Sequence, residues 1–503
     1  MNLLNYKKST FILILFSFIF LLRCENEIDN NVVPISRNGV NNSNINLEGE
    51  LEVSDFIWRG LNEFYYWQDR VEELSDEKLK DEKNYAKYIS ENSQPKEFFE
   101  SLKHLDDRFS WIEDDYRVLE NTLQGIFSSN GVEFGLLYAC KNCNELIGFV
   151  KYILKGSNAE EKNIKRGDLF TGVNGTVLTA SNYRSLLFGS NMSYTLNMAA
   201  ARNGVIFNTG VNVELTKKEN FEINPIQINK IINLDKIGQH GNKKIGYLMY
   251  NQFVSNKSHE LNEVFMNFKN AGISEMVIDL RYNGGGSIKN CVELASMITG
   301  QFTNEIFAEE QWNSKLLPYL RTNFGKETLI NRFRAILEDG EEINSLNLNR
   351  VFIITSSESA SASELLINGL SSYIKVIQIG EKTVGKNVGS ITVYDYIDNE
   401  QTKNPDHTYA MQPIVLKIAN NDGFADYADG LFPDYFIEED LQNMGVLGSK
   451  DEPMLSKVLD IINGTSKSFI SKSKISKGPL VKDPLTIKRQ VMFVEKNEVF
   501  IKN

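Results

Sequence analysis

The sequence predicts an α/β protein: a layered domain of buried strands alternating with helices, preceded by a small helical domain and a strand-rich unit. Three observations predict it. From about residue 243, apolar runs at 245–250, 276–280, 351–355 and 376–379 alternate with stretches of helical periodicity, as strands buried on both faces do. Residues 128–216 break into short strands separated by turn signals. Earlier still, Phe56, Ile57, Leu61, Phe64, Tyr65 and Trp67 recur at helical spacing.

Taken in order, the first residues read as an export signal. Lys7 and Lys8 precede an apolar run over 11–22, long enough for a signal sequence and short for a membrane span. Cys24 follows, and segment 1–24 resembles a bacterial lipoprotein signal, in which that cysteine becomes the lipidated N-terminus. Arg23 stands where that pattern has a small residue. An incidental cysteine beyond an ordinary cleavage site is the plainer alternative. Residues 25–47 are rich in Asn and lack apolar periodicity, a linker that would hold a folded body away from a membrane. A helical domain over 48–118 comes next, with a second helical stretch near 95–105 and its aromatics read as core.

Within 128–216, a helix carrying Ala159 and Ile164, a strand over 169–173 opened by Gly167-Asp168, and the Asn174-Gly175 turn make one compact unit. That unit resembles the second half of a PDZ domain. Phe134, Gly135 and Leu136, after Glu133, match the PDZ loop whose backbone N–H groups take a ligand's C-terminal carboxylate. Cys140 and Cys143 form a lone C-x-x-C, which lacks the second pair of a four-ligand zinc site. A short-loop disulfide and two small residues beside a turn both remain open, the second slightly favoured. Cys291 falls in an apolar helical stretch and reads as core. The layered domain spans 219–466, and 467–503 is a Lys-rich tail, solvated or packed along an edge.

Three segments carry the chemistry. Residues 355–364 (T-S-S-E-S-A-S-A-S-E) follow a predicted buried strand and open a predicted helix, so their N–H groups face outward at the positive end of a helix dipole. A serine there can attack a carbonyl while a neighbouring amide stabilises the oxyanion. Ser361 and Glu364 also have the S-x-x-E spacing of a capping box, which needs no catalysis, and on this segment alone the two readings stand level. Residues 279–286 (D-L-R-Y-N-G-G-G) follow another strand. Their glycines allow close backbone approach to a ligand, or simply a tight turn. In 380–386, Lys386 is flanked by glycine and apolar residues. It is either an exposed turn lysine or a desolvated one whose lowered pKa supplies a neutral amine as base.

Together the three segments, in this order, resemble peptidase family S41, the C-terminal processing peptidases, over about residues 128–465. The family's serine sits in S-A-S-E, here Ser361-Ala362-Ser363-Glu364. Its lysine sits in a G-K step, here Gly385-Lys386, twenty-five positions after the serine. Its D-L-R-x-N-x-G-G aligns with 279–286 and its G-x-x-P-D with 430–434. The resemblance implies a crotonase-like (ClpP/crotonase) core with an inserted or preceding PDZ-like domain. It implies a serine endopeptidase acting on exported proteins, near their C-termini. Ser361 is then the nucleophile, Lys386 the general base, and the backbone N–H groups of Gly286 and Ala362 the oxyanion donors. Relatives carry an acidic residue and a glutamine where this chain has Ser372 and Ser390. The leader and helical segment resemble S41 lipoproteins of Bacteroidetes-type bacteria, implying export to the periplasm or outer membrane on a lipid anchor.

Other classes fit less well. The net charge of −12, spread along the chain, argues against nucleic acid as a partner. The four histidines (His104, His240, His259, His407) accompany no G-x-S-x-G elbow and no H-E-x-x-H, so a His-dependent hydrolase and a metallopeptidase are unsupported. His259, at a helix start, reads as a surface or capping residue. Serine–lysine acyl transfer requires no cofactor. The alternative of another class is a non-catalytic PDZ-containing scaffold that binds peptide C-termini on a decayed protease core.

Overall fold

The computed structural model describes residues 49–202, 204–234, 243–398, 400–465, 479–481 and 486–494. The signal, Cys24 and the Asn-rich linker lie outside these residues. No described helix is long and apolar enough to cross a membrane.

Helix α1 (Glu50–Phe64) buries Phe56, Ile57, Trp58, Leu61 and Phe64 at the three-and-four spacing that predicted it. Shorter helices over Glu82–Ser90 and Pro95–Ser101 pack beside it. Their apolar residues join the same cluster as the helices of the large domain, so this region forms one continuous core with it.

The strand-rich unit is a six-stranded antiparallel sheet: β1 (Val132–Tyr138), β2 (Leu146–Ile153), β3 (Leu169–Val173), β4 (Ser193–Arg202) and β5 (Val205–Thr216) follow in sequential order, and the short strand Thr176–Val177 pairs with β3 off that path. It has its own core, including Leu136, Val150, Phe170 and Leu215. Two expectations need correction. The helix carrying Ala159 and Ile164 is only a 3₁₀ turn over Asn158–Glu161, because Lys162 is extended and Asp168 accepts the Lys165 N–H at 2.8 Å, holding a turn. Phe134, Gly135 and Leu136 are no loop but lie inside β1, where Gly135 leaves room for the Phe149 ring across the ladder. Cys140 and Cys143 are disulfide-bonded near the tip of the β1–β2 hairpin, with Cα atoms 5.1 Å apart, against the reading slightly favoured from sequence.

The large domain begins with β6 (Ile226–Leu234), antiparallel to β7 (Lys243–Tyr250). Chain order then gives α2 (Ser258–Ala271), β8 (Glu275–Asp279), β9 (Gly286–Ser287), α3 (Ile288–Thr299), β10 (Ile306–Trp312), β11 (Arg350–Thr355) and α4 (Ala362–Ser371). It ends with β12 (Lys375–Gly380), β13 (Val388–Ser390), β14 (Ile414–Asn420), β15 (Tyr435–Phe436), α5 (Pro453–Asn463) and β16 (Met492–Phe493). The main sheet runs β6-β7-β8-β11-β12-β15, parallel from β7 onward. Ile278 and Ile353 point to the layer holding α2, α3 and α4, while Val277, Phe352 and Ile354 point to α5. Both faces are covered, which is why these strands read as unbroken apolar runs.

A second sheet runs β9-β16-β13-β14-β10 and closes on Ile330–Arg332. Its β16 comes from the Lys-rich tail. That tail was expected in solvent or along an edge, yet β16 lies inside the sheet, between β9 and β13. Val491, Met492, Phe493 and Val494 are the apolar run of the segment, and all four are buried, Met492 completely.

Candidate active site

Ser361 is the N-cap of α4 and holds φ at +67°, a left-handed conformation that strains any residue with a Cβ. The turn before it is pinned by its other serines. Ser359 donates to the Leu280 carbonyl (2.8 Å), Ser363 to that of Asn283 (3.0 Å), and Ser356 to that of Arg281. These bonds fasten the serine turn to the glycine turn. Ser361 Oγ is buried and makes no hydrogen bond.

Glu364 sits below it, fully buried. Its Oε2 accepts the backbone N–H groups of both Ser361 (2.7 Å) and Lys386 (2.8 Å). Its Oε1 accepts Thr383 Oγ1 (2.5 Å) and the Gly385 N–H (2.6 Å). Four donors on one carboxylate tie the serine turn to the lysine loop. The expected capping-box placement is present, with Glu364 taking the Ser361 N–H, but the serine hydroxyl makes no hydrogen bond in return.

Lys386 follows β12 and is buried, its ammonium 5.0 Å from the centre of the Phe109 ring. Desolvation pulls its pKa down to about 7, against the opposing pull of Asp107 and Glu364. Its Nζ donates to the Gln490 carbonyl at 2.6 Å. Arg108, beside Asp107 and Phe109, donates to the carbonyls of Gly385 (2.9 Å) and Ala428 (3.0 Å), so the N-terminal region clamps the lysine loop.

The glycine turn is set by what precedes it. Arg281 is wholly buried and pairs with Asp279 (2.8 Å), Glu439 (2.9 Å) and Glu452 (2.7 Å). Asn283 Oδ1 accepts the Gly285 N–H at 2.8 Å. Gly285 and Gly286 have φ of +112° and +136°. A Cβ on Gly285 would lie 2.6 Å from that of Ser361, and one on Gly286 would strike the Phe253 carbonyl. The Gly286 N–H donates to the Val491 carbonyl. Ala362 opens α4 directly after Ser361, and its carbonyl accepts Cys291 Sγ at 3.3 Å.

The structure therefore brings Ser361, Ala362, Gly286 and Lys386 together at one place. Phe134, Gly135 and Leu136 lie apart from them, lining a cavity of about 250 Å³ that extends to Gly284 and Gln490. Such an arrangement of an unpaired hydroxyl, a desolvated amine and glycine N–H groups is equipped for acyl transfer.

Comparison with known proteins agrees. The model of "Peptidase family S41" matches residues 244–409, and that of the "Peptidase S41 N-terminal domain" matches 52–111. Residues 244–409 thus carry the peptidase domain of family S41, and 52–111 its N-terminal domain. It is 23% identical over 428 residues to a "Probable CtpA-like serine protease" of Staphylococcus epidermidis, covering 85% of this chain and 73% of that one. A protein of the same name from Staphylococcus aureus is 23% identical over 338 residues, covering 67% of this chain and 58% of its own length. The crystal structure of a "Putative S41 protease from Bacteroides fragilis" has the same fold, with a TM-score of 0.61 at 24% identity. The match covers 82% of this chain and 98% of that one. These matches support a serine protease of the S41 type.

In this chain, neither serine that replaces a family residue touches the lysine. Ser390 Oγ donates to the Met492 carbonyl (3.0 Å) and accepts Gln412 Nε2 (3.0 Å), while the buried Ser372 Oγ has no partner. Sequence reasoning missed the linking role of Glu364, whose only signal was the capping spacing. It also missed Asp107, Arg108, Phe109 and Gln490, for which no local signal exists. His259 is at the surface, 2.6 Å from Glu341.

Proposed function

We propose that the protein is an endopeptidase using Ser361 as nucleophile and Lys386 as general base. The observation that carries this reading is the unpartnered Ser361 hydroxyl, held with a desolvated lysine on the two sides of one carboxylate oxygen. Neutral Lys386 takes the Ser361 proton as Oγ bonds to the peptide carbonyl carbon. The N–H groups of Gly286 and Ala362 receive the oxyanion. Collapse breaks the C–N bond, and the lysine gives its proton to the departing amine. Water, deprotonated by the same lysine, then hydrolyses the acyl-enzyme and restores Ser361.

The layered core is read as crotonase-like and the strand-rich unit as PDZ-like, presenting substrate C-termini to the site. Export on a lipid anchor at Cys24 is proposed from the sequence, with exported proteins as substrates. The test is hydrolysis of an unfolded model protein by the purified protein, beside Ser361→Ala and Lys386→Ala. Cleavage by the parent, with both variants folded and inert, supports the dyad. Cleavage that survives Ser361→Ala refutes it. Binding of C-terminal peptides without cleavage would favour the scaffold reading.

A further inference from the structure

The described residues of the tail meet the rest of the chain at two places, and both are peptide-binding surfaces under the proposed reading. At the first, the open edge of β1 pairs antiparallel with Pro479–Val481. The Tyr138 N–H donates to the Pro479 carbonyl (3.2 Å) and the Val481 N–H to that of Leu136 (2.9 Å), around a Leu137–Leu480 bridge. This is strand addition at a sheet edge, a general mode of peptide capture.

At the second, Arg489–Val494 crosses the catalytic groove. Lys386 Nζ is spent on the Gln490 carbonyl and the Gly286 N–H on that of Val491. A Cβ on Gly284 would collide with the Arg489 carbonyl, and one on Gly285 with that of Val491, so the glycine turn lies flush against tail backbone. Beyond the turn, β16 lies parallel to both neighbours. Ser390 Oγ donates to the Met492 carbonyl, and the Val494 N–H to the Ser390 carbonyl at 3.2 Å. Charge fixes the approach, since Arg489 pairs with Glu133 (2.7 Å) and Lys488 with Glu113. A strand added only for stability has no need of the lysine amine or of the amide placed to receive an oxyanion.

We infer that the chain's own C-terminal segment is a resident peptide ligand: it fills the groove between β9 and β13 and the edge of β1, and must leave before a substrate enters. The inference rests on the proposed reading of Ser361 and Lys386. It also defines what the groove accepts, an extended strand with basic residues ahead of an apolar run, as in Lys488-Arg489-Gln490-Val491-Met492-Phe493. Tethering gives the tail an effective concentration in the millimolar range. For a segment binding at about 0.1 mM, that suppresses the free enzyme roughly tenfold.

The test compares hydrolysis of an unfolded protein by the full chain and by Met492→Asp, which places a carboxylate at a completely buried position. Expulsion of the tail should raise the rate about tenfold, and a synthetic peptide of residues 486–494 should reverse the gain. Since that variant could misfold, amide exchange of 486–494 is also followed in Ser361→Ala as the unfolded protein is added. Exchange should rise as the tail is displaced. A folded Met492→Asp that is no faster, or tail amides that stay protected while the added protein is bound, overturns the inference. The two failures are distinguishable. Ser361-dependent cleavage with an immovable tail sinks the inference alone, whereas Ser361-independent cleavage sinks the proposed function.

Discussion

Replacing Glu364 by Gln keeps the shape of the side chain and removes its charge. The carboxylate receives four donors, two on each oxygen. A glutamine offers one oxygen and one NH₂ group, so whichever way the amide turns, two donors face another donor. An orphaned buried donor costs about 1–3 kcal/mol, giving a stability loss of about 2–6 kcal/mol. Against the 5–15 kcal/mol typical of folded domains, that is a large fraction. The serine turn and the lysine loop lose their shared anchor, and a shift of about an ångström at such a site costs on the order of a hundredfold in rate.

A purely structural role would stop there, but Glu364 also acts on the lysine. Its charge raises the Lys386 pKa against desolvation. Without that charge, the rising limb of kcat/KM against pH moves to lower pH. Urea unfolding measures the first effect and a pH–rate series the second. A folded variant with unchanged stability, a rate within about twofold of the parent and an unmoved limb would refute the linking role.

The remaining expectations are shorter. With the Lys386 pKa lowered from 10.5 to about 7, the parent's activity should climb through about pH 7 and level above it. The unfolded chain holds this proton more tightly, so the lysine's contribution to stability rises with pH between about 7 and 10.5, measurable by unfolding across that range. Ser361→Gly should abolish cleavage yet stabilise the fold by about 1 kcal/mol in thermal unfolding, because φ of +67° suits glycine and the hydroxyl has no bond to lose. Arg281→Met takes the arginine from Asp279 and Glu452 and leaves Glu439, which the two arginines hold at about pKa 2, with Arg166 alone. It should cost about 3–5 kcal/mol and disorder the glycine turn, seen as loss of stability together with loss of rate.

The parts legible in the sequence are those fixed by local periodicity or by ordered motifs. The strands over Glu275–Asp279 and Arg350–Thr355 announce themselves because both their faces are covered, and Ser361, Gly286 and Lys386 converge as their segments imply. What depends on distant contacts was not legible. Arg108 reaches Gly385 across 277 residues, and nothing near either residue predicts it. Phe134-Gly135-Leu136 was assigned to a loop by motif matching. Its apolar–small–apolar sequence suits a pleated strand, and that local preference prevailed. The run Val491–Val494 is four residues long in a Lys-rich tail, too short for its period to outweigh the surrounding charge.

Ser361 and Glu364 show why one spacing supported two readings that sequence alone could not separate. In an ordinary capping box both side chains bond backbone, and the serine hydroxyl is consumed. Here Glu364 performs its half, taking the Ser361 N–H, then uses its remaining acceptor capacity on the Thr383–Lys386 loop. The hydroxyl sits in the capping position yet makes no hydrogen bond, and φ of +67° sets Ser361 apart from the extended backbone usual at an N-cap. The strain is sustained by Gly285, whose missing Cβ admits Ser361, and by the neighbouring serines that bolt the turn to 280–283. The capping motif thus survives with its serine released, and what releases it is the glycine turn some seventy-five residues earlier in the chain. Restoring a Cβ at Gly285 should therefore displace Ser361, and Gly285→Ala should lose activity by a larger factor than the stability it costs would explain.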